Sequence, residues 1–204
     1  MTLASLVLRA RFDPIKDVLD RVLAGLGLLM LLPALALLAL AIKLGSRGPV
    51  FFIQERVGKH GRHFGIIKLR TMVLNAEQDT GPIWARAGDS RVTRLGRFLR
   101  ATHLDEAPQL INVLRGEMSL VGPRPERPFF VDQFRIHVQG YERRLEVKPG
   151  ITGLAQVSGT YDETMRDVER KLRYDLLYIK RMCLMTDVAI LFLTVRCLTG
   201  RGAR

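Results

Sequence analysis

Between Val22 and Ile42 the chain carries no charged side chain: VLAGLGLLMLLPALALLALAI. As a helix rising 1.5 Å per residue, this run reaches about 31 Å, the thickness of one bilayer hydrocarbon core. A secretory signal fits poorly, because the run is long and no small-x-small cleavage site precedes a mature-looking domain. An unbroken apolar run of this length is also unusual for a buried helix of a soluble protein, so insertion into a membrane is expected. Pro33 lies near the middle, where it removes a backbone hydrogen bond and crowds the preceding turn. Each half alone reaches only about 16 Å. Basic residues flank both ends, Arg9, Arg11, Lys16 and Arg21 before the run and Lys43, Arg47, Arg56 and Lys59 after it. A spanning helix normally has one basic flank, and symmetric flanks put both ends on the cytoplasmic side. A Pro33-kinked re-entrant helix fits best, with an ordinary single span as the alternative.

With 25% charged residues and 48% hydrophobic ones, the chain is neither disordered nor polytopic. The formal net charge of +12 calls for an anionic partner: nucleic acid, acidic lipid or a phosphorylated substrate. Arginine dominates the 32 basic residues, which suits bidentate phosphate contacts and equally suits a GC-rich genome. Cys183 and Cys197 form no disulfide or metal framework and read as reduced thiols. The four histidines give no metal-ligand spacing, His60-x-x-His63 falling in a glycine-rich loop. No Walker loop, Gly-x-Gly-x-x-Gly, internal repeat or low-complexity tail is present.

Several short elements follow the apolar run. Val50–Ile53 is β-prone, and Ile66–Met72 alternates so that Lys68 and Arg70 share one strand face. Two cations side by side want an anion between them, although a solvated basic edge strand has the same pattern. Residues 73–90, with Trp84, Gly81-Pro82 and Gly88-Asp89, read as a loop. Val92–Ala101 predicts a short amphipathic helix with Arg94, Arg97 and Arg100 outward. Thr102 is placed to cap a helix over Leu104–Leu114 that Gly116 ends. Lys148–Gly153 is a tight basic turn and Asp162–Lys180 an amphipathic helix. Val188–Leu198 is an apolar run too short to span.

The stretch Leu104–Pro125 carries the chemistry. Adjacent carboxylates, Asp105 and Glu106, open the predicted helix, and a stiff Pro123-Arg124-Pro125 turn follows it. A carboxylate can attack an electrophile or hold a metal, and a guanidinium can grip a phosphate. Acidic residues also stabilise a first helical turn by complementing its dipole, so a purely structural pair is the competing reading. Arg100, Arg124 and the Lys68/Arg70 strand, which lacks another obvious anion, favour phosphoryl chemistry.

These motifs together resemble the bacterial sugar transferases, the monotopic polyprenyl-phosphate phosphoglycosyltransferases. The resemblance runs from about Lys16 to the C-terminus. It rests on Lys16-x-x-x-Asp20, Gly48-Pro49-Val50-Phe51-Phe52, Gln54-Glu55-Arg56-Val57-Gly58, Lys68-Leu69-Arg70-Thr71-Met72, Asp105-Glu106, Gly122-Pro123-Arg124-Pro125 and Lys148-Pro149-Gly150-Ile151-Thr152-Gly153. It implies a helix-rich α+β fold: a small cytosolic catalytic domain with short β-strands, residues 48–204, and interfacial amphipathic helices, attached to a Pro-kinked re-entrant membrane segment, residues 1–47. It implies the minimal form, without a preceding multi-span region. It further implies that Asp105 attacks the β-phosphate of a UDP-sugar and expels UMP. Polyprenyl phosphate then takes the sugar phosphate from the enzyme. In that scheme Asp105 is nucleophile and Mg²⁺ ligand, Glu106 handles metal or proton, and Lys68, Arg70, Arg100 and Arg124 hold phosphates. The expected setting is the bacterial inner membrane, catalytic part toward the cytoplasm, with membrane lipids as neighbours and nucleic acid excluded; a homodimer is left open. Asp17 departs from the family's interfacial motif after Lys16, and Leu154, Ser158 and Thr160 depart where the pattern bears on nucleotide or sugar binding.

Overall fold

The computed structural model describes residues 3–74, 76, 89–159 and 164–198, with side chains from residue 12 onward. Most of the expected loop 73–90, Trp84 included, and Thr160 lie outside the described residues. Among the described residues the fold is helix-rich, with four short strands in two separate pairs.

Helix α1 runs from Leu3 to Gly45 and continues through both Pro14 and Pro33. From Phe12 to Gly45 it is long and apolar enough to cross a membrane. Among the described residues, one side of it packs against the rest of the chain. Ala24 is buried with Ile66, Val113 and Met118, while Leu35, Leu38 and Ile42 pack with Leu69 and Leu99. The opposite side leaves Leu29, Met30, Leu37 and Leu44 exposed. After Gly45, Arg70 donates to the carbonyls of Ser46 and Arg47 and to the Ser46 hydroxyl, at 3.0, 2.8 and 2.7 Å. A cation there complements the negative end of the helix dipole.

Strands β1 (Phe51–Val57) and β2 (His63–Leu69) form an antiparallel hairpin, Phe51 opposite Leu69 and Val57 opposite His63. The second strand therefore starts three residues before the expected Ile66 and stops short of Arg70. α2 (Arg94–Ala101) is capped by Thr93, whose hydroxyl accepts from the Gly96 N–H at 2.9 Å, the usual N-cap geometry. Arg94 and Arg97 are exposed as expected, whereas Arg100 is half-buried.

The helix expected over Leu104–Leu114 is divided. Leu104–Glu106 forms a 3₁₀ turn, and α3 covers only Gln109–Leu114. Pro108 stands at the start of α3, where its missing N–H costs nothing. Thr102 caps nothing ahead of it; its hydroxyl donates backward to the Phe98 and Leu99 carbonyls at 2.9 and 3.1 Å. The predicted Thr102 cap therefore does not form. Gly116, at φ 77°, follows α3 as the left-handed stop its position predicts.

β3 (Ser119–Val121) pairs in parallel with β4 (Gly150–Thr152). The chain leaving β3 crosses the Lys148–Gly153 turn so closely that a Cβ on Gly150 would fall 2.1 Å from the Gly122 nitrogen. Gly122 N–H donates to Thr152 O and Gly150 N–H to Pro123 O, each at 2.9 Å. Two sequence motifs that looked separate thus form one seam, and the Pro123-Arg124-Pro125 turn projects from it.

α4 (Pro128–His137), α5 (Leu154–Val157) and α6 (Met165–Arg181) complete the body with α7 (Leu184–Arg196). α6 begins with a capping box between Thr164 and Asp167, which satisfies two of its free N–H groups. One core joins Val57 with Val131, Phe134, Tyr141 and Leu172; a second joins Val121 and Val147 with Tyr178 and Ile190. α7 buries Ile190 and Asp187 but exposes Leu184, Met185, Val188 and Phe192.

Candidate active site

His103 adopts the left-handed conformation, φ 55° and ψ 15°, directly after α2. That reversal sets the 3₁₀ turn Leu104–Glu106 against β2, and the two adjacent acids meet different surroundings.

Glu106 is held by two cations. Its Oε1 accepts from Lys68 Nζ at 2.7 Å and from Arg124 Nη2 at 2.5 Å, and its Oε2 accepts from Arg124 Nη1 at 3.2 Å. The Arg124 contact is bidentate, the geometry in which a guanidinium holds a carboxylate or phosphate best. Burial alone would raise the Glu106 carboxyl, but Arg124 and Lys68 prevail and hold it far below the usual range. Burial, reinforced by Arg124, lowers Lys68 despite its contact with Glu106.

Arg124 is supported from below. Its carbonyl accepts from Arg144 Nη2 at 2.8 Å, and Arg56 Nη1 donates to Pro125 O at 3.0 Å. Arg144 is fully engaged with Asp175, at 2.9 and 2.8 Å, and with the Tyr141 hydroxyl at 2.8 Å. Glu126 pairs with Lys171 at 2.6 Å. Burial opposes ionisation of Glu126, yet Lys171, Arg144 and Arg56 bring its carboxyl down to about 2.

Asp105 is different. Its side chain is buried, yet among the described residues it has no hydrogen-bond or ion-pair partner. It caps no helix, since α3 begins four residues later. Burial, and then the Glu106 charge, raise its carboxyl above the usual value, against the pull of Lys68 and Arg100. The pair is thus divided: one carboxylate binds side-chain cations, and the other has no partner among the described residues.

The cations expected at the site are not all together. Lys68 and Arg124 meet on Glu106, and Arg100 lies near enough to act on Asp105 while its Nε donates to Thr71 Oγ1 at 2.9 Å. Arg70 is elsewhere, its guanidinium given over to the C-terminal end of α1. Lys68 and Arg70 thus find separate partners among the described residues. Sequence reading gave no site role to Asn112 or Arg144, and placed Arg56 only in a motif; all three make contacts to backbone far away in the chain.

Lys68, Arg100 and Arg124 against Asp105 and Glu106 leave a surplus positive charge beside an unpaired carboxylate. Such a site can attract a substrate with several anionic oxygens and present a nucleophile to it. Among the described residues no group of three or more His, Cys, Asp or Glu could hold a metal by itself. Asp105 nonetheless suits Mg²⁺, which commonly takes one carboxylate with water and substrate phosphates. Glu106 is already engaged by two cations.

Residues 11–201 match the family described as bacterial sugar transferase, and the chain belongs to that family. Three relatives illustrate it. The UDP-N-acetylgalactosamine-undecaprenyl-phosphate N-acetylgalactosaminephosphotransferase of Aeromonas hydrophila is 47% identical over 93% of this chain and 45% of that protein. The UDP-glucose:undecaprenyl-phosphate glucose-1-phosphate transferase of Klebsiella pneumoniae is 46% identical over 86% of this chain and 38% of its own length. A relative of the same name from Caulobacter vibrioides is 46% identical, over 92% of this chain and 70% of that protein. The chain therefore spans less than half the length of the first two.

Proposed function

We propose that this chain transfers a sugar 1-phosphate from a UDP-sugar to polyprenyl phosphate through a covalent intermediate on Asp105. The carrying observation is the unpaired, buried Asp105 carboxylate next to a Lys68–Glu106–Arg124 clamp. The names of the relatives supply the nucleotide and the lipid carrier.

In the first step an Asp105 oxygen attacks the β-phosphorus. The bond from that phosphorus to the bridging oxygen breaks, UMP leaves with the electron pair, and an acyl phosphate linked to sugar remains. In the second, a polyprenyl phosphate oxygen attacks the same phosphorus. The bond to Asp105 breaks, giving polyprenyl-diphosphate-sugar and a regenerated carboxylate. A carboxylate and a diphosphate repel, so Lys68, Arg100 and Arg124 must lie where the phosphate oxygens arrive. Glu106 keeps Lys68 and Arg124 together until then and yields them to the substrate. Mg²⁺, when bound at Asp105 and the diphosphate, would supply further charge neutralisation.

We place α1 as a shallow re-entrant insertion, both ends on the cytoplasmic side of the bacterial inner membrane. The support is its one-sided packing: from Ala24 to Ile42 it carries β2, α2 and α3 on one face and bare apolar residues on the other. A helix standing upright across the bilayer would draw the charged clamp into hydrocarbon, where ionised groups are costly. Insertion at the surface keeps Asp105 near headgroup depth, within reach of a lipid phosphate.

Incubation with UDP-sugar and Mg²⁺ but no lipid acceptor should release UMP up to one equivalent and add a sugar phosphate to the peptide containing Asp105. Asp105→Asn should lower release by about 10⁴-fold or more, as loss of a nucleophile does. Undiminished release in that variant rejects the mechanism. For topology, cysteines at Ser5 and Lys59, in a chain lacking Cys183 and Cys197, should both resist a periplasmic thiol reagent. Labelling at Ser5 alone would instead show a span.

A further inference from the structure

The hairpin has an open edge. β1 covers one side of β2, and among the described residues no strand covers the other. Backbone groups on such an edge need partners when they are buried. Here a single side chain supplies them. Asn112, fully buried on α3, accepts from the Ile67 N–H through Oδ1 at 3.0 Å and donates from Nδ2 to the Gly65 carbonyl at 2.8 Å. Its carboxamide does what the peptide group of a third strand would do. The second Nδ2 hydrogen goes to Glu117 Oε2 at 2.7 Å, which fixes which way round the amide lies.

The location gives this contact a consequence. Lys68 directly follows Ile67 on β2, and Glu106 lies six residues before Asn112 on the same segment. The Asn112 bonds therefore fasten the strand carrying Lys68 to the segment carrying Asp105 and Glu106, close to where Lys68 reaches Glu106. We infer that Asn112 is a positioning residue that sets Lys68 in the phosphate clamp and acts on the reaction through Lys68. This rests on the transferase reading above. Other side chains cannot replace the amide. Aspartate accepts from Ile67 but cannot donate to Gly65, and it faces the Glu117 carboxylate. Leucine has a similar shape and leaves both backbone groups unpaired.

The test is a double-mutant cycle on UMP release, using full-length protein in detergent, with Asn112→Asp, Lys68→Gln and the combination. Asn112→Asp alone should lower kcat about a hundredfold, the scale of an ångström-sized displacement, with a smaller change in KM. In the Lys68→Gln background it should cost little more, because the residue it positions is gone. Equal losses in both backgrounds would show a general structural effect and overturn the inference. Hydrogen exchange across residues 64–69 reads the contact without relying on activity. Exchange there should speed up in Asn112→Asp, and in Asn112→Ser if the aspartate variant does not fold, and stay slow in Lys68→Gln. Unchanged protection in the Asn112 variants would also overturn it. Absence of UMP release from the unaltered protein, with the exchange difference intact, would instead strike the transferase reading.

Discussion

Two of the buried charge clusters in this molecule are balanced in opposite ways. At the foot of α1, Lys16 lies 3.3 Å from Asp20 and 2.5 Å from Asp187. The surplus negative charge is met by hydroxyls: Ser119 donates to Asp20 at 2.5 Å and Tyr178 to Asp187 at 2.8 Å. At the clamp the surplus is positive, and Asp105 has no partner among the described residues. At the foot, fixed groups of the chain answer the charges of Lys16, Asp20 and Asp187. The clamp is open, which is the condition of a site that waits for an anionic ligand.

The difference is broken most severely from the foot. Lys16→Met would leave Asp20 and Asp187 buried together without a cation, at a cost of about 3–5 kcal/mol. Denaturant unfolding in detergent should register that loss, and adding Asp187→Asn should recover part of it. A variant as stable as the original would mean that the foot is not a closed network.

Glu106→Gln should cost less, about 1–3 kcal/mol. The reason is that its partner Arg124 keeps 34% of its side chain in solvent. The substitution should also release the clamp's hold on Lys68 and slow UMP formation. The acid limb of stability offers a separate reading. The Glu106 carboxyl is depressed in the folded chain. Its contribution is therefore present above the unfolded value of about 4.3 and fades as pH falls below it. Unfolding followed from about pH 6 to 3 should show a shallower decline for Glu106→Gln than for the original protein.

How much of this was legible in the sequence follows the range of the interactions. The apolar run, the left-handed stop at Gly116 and the stiff turn carrying Arg124 are local, and each lies where its residues predict. Lys68 and Arg124 read locally as phosphate ligands, but their common partner, Glu106, emerges only when segments 38 and 18 residues apart meet. Thr102 misled because a hydroxyl near a helix end can bond forward or backward with equal ease, and here the α2 carbonyls took it. Arg70 misled because strand alternation gives a face and not a partner. Asp187, just before the apolar run Val188–Leu198, carries no local signal of its role, because its cation is Lys16, 171 residues away.

The smallest expected effect has the opposite sign and divides the two clusters most sharply. Asp105 is raised by burial and by the Glu106 charge, so its ionised form is less favourable in the folded chain than in the unfolded one. At neutral pH that charge works against the fold. Asp105→Asn should therefore melt slightly higher than the original protein, by about 1 kcal/mol or less. The gap should close in acid, as the original protein takes up the same proton. A structural carboxylate would give the reverse, a loss of stability on substitution like that expected at Lys16. An Asp105→Asn protein that is inactive yet no less stable is what the proposed open site requires, since a nucleophile contributes to a reaction and not to the fold.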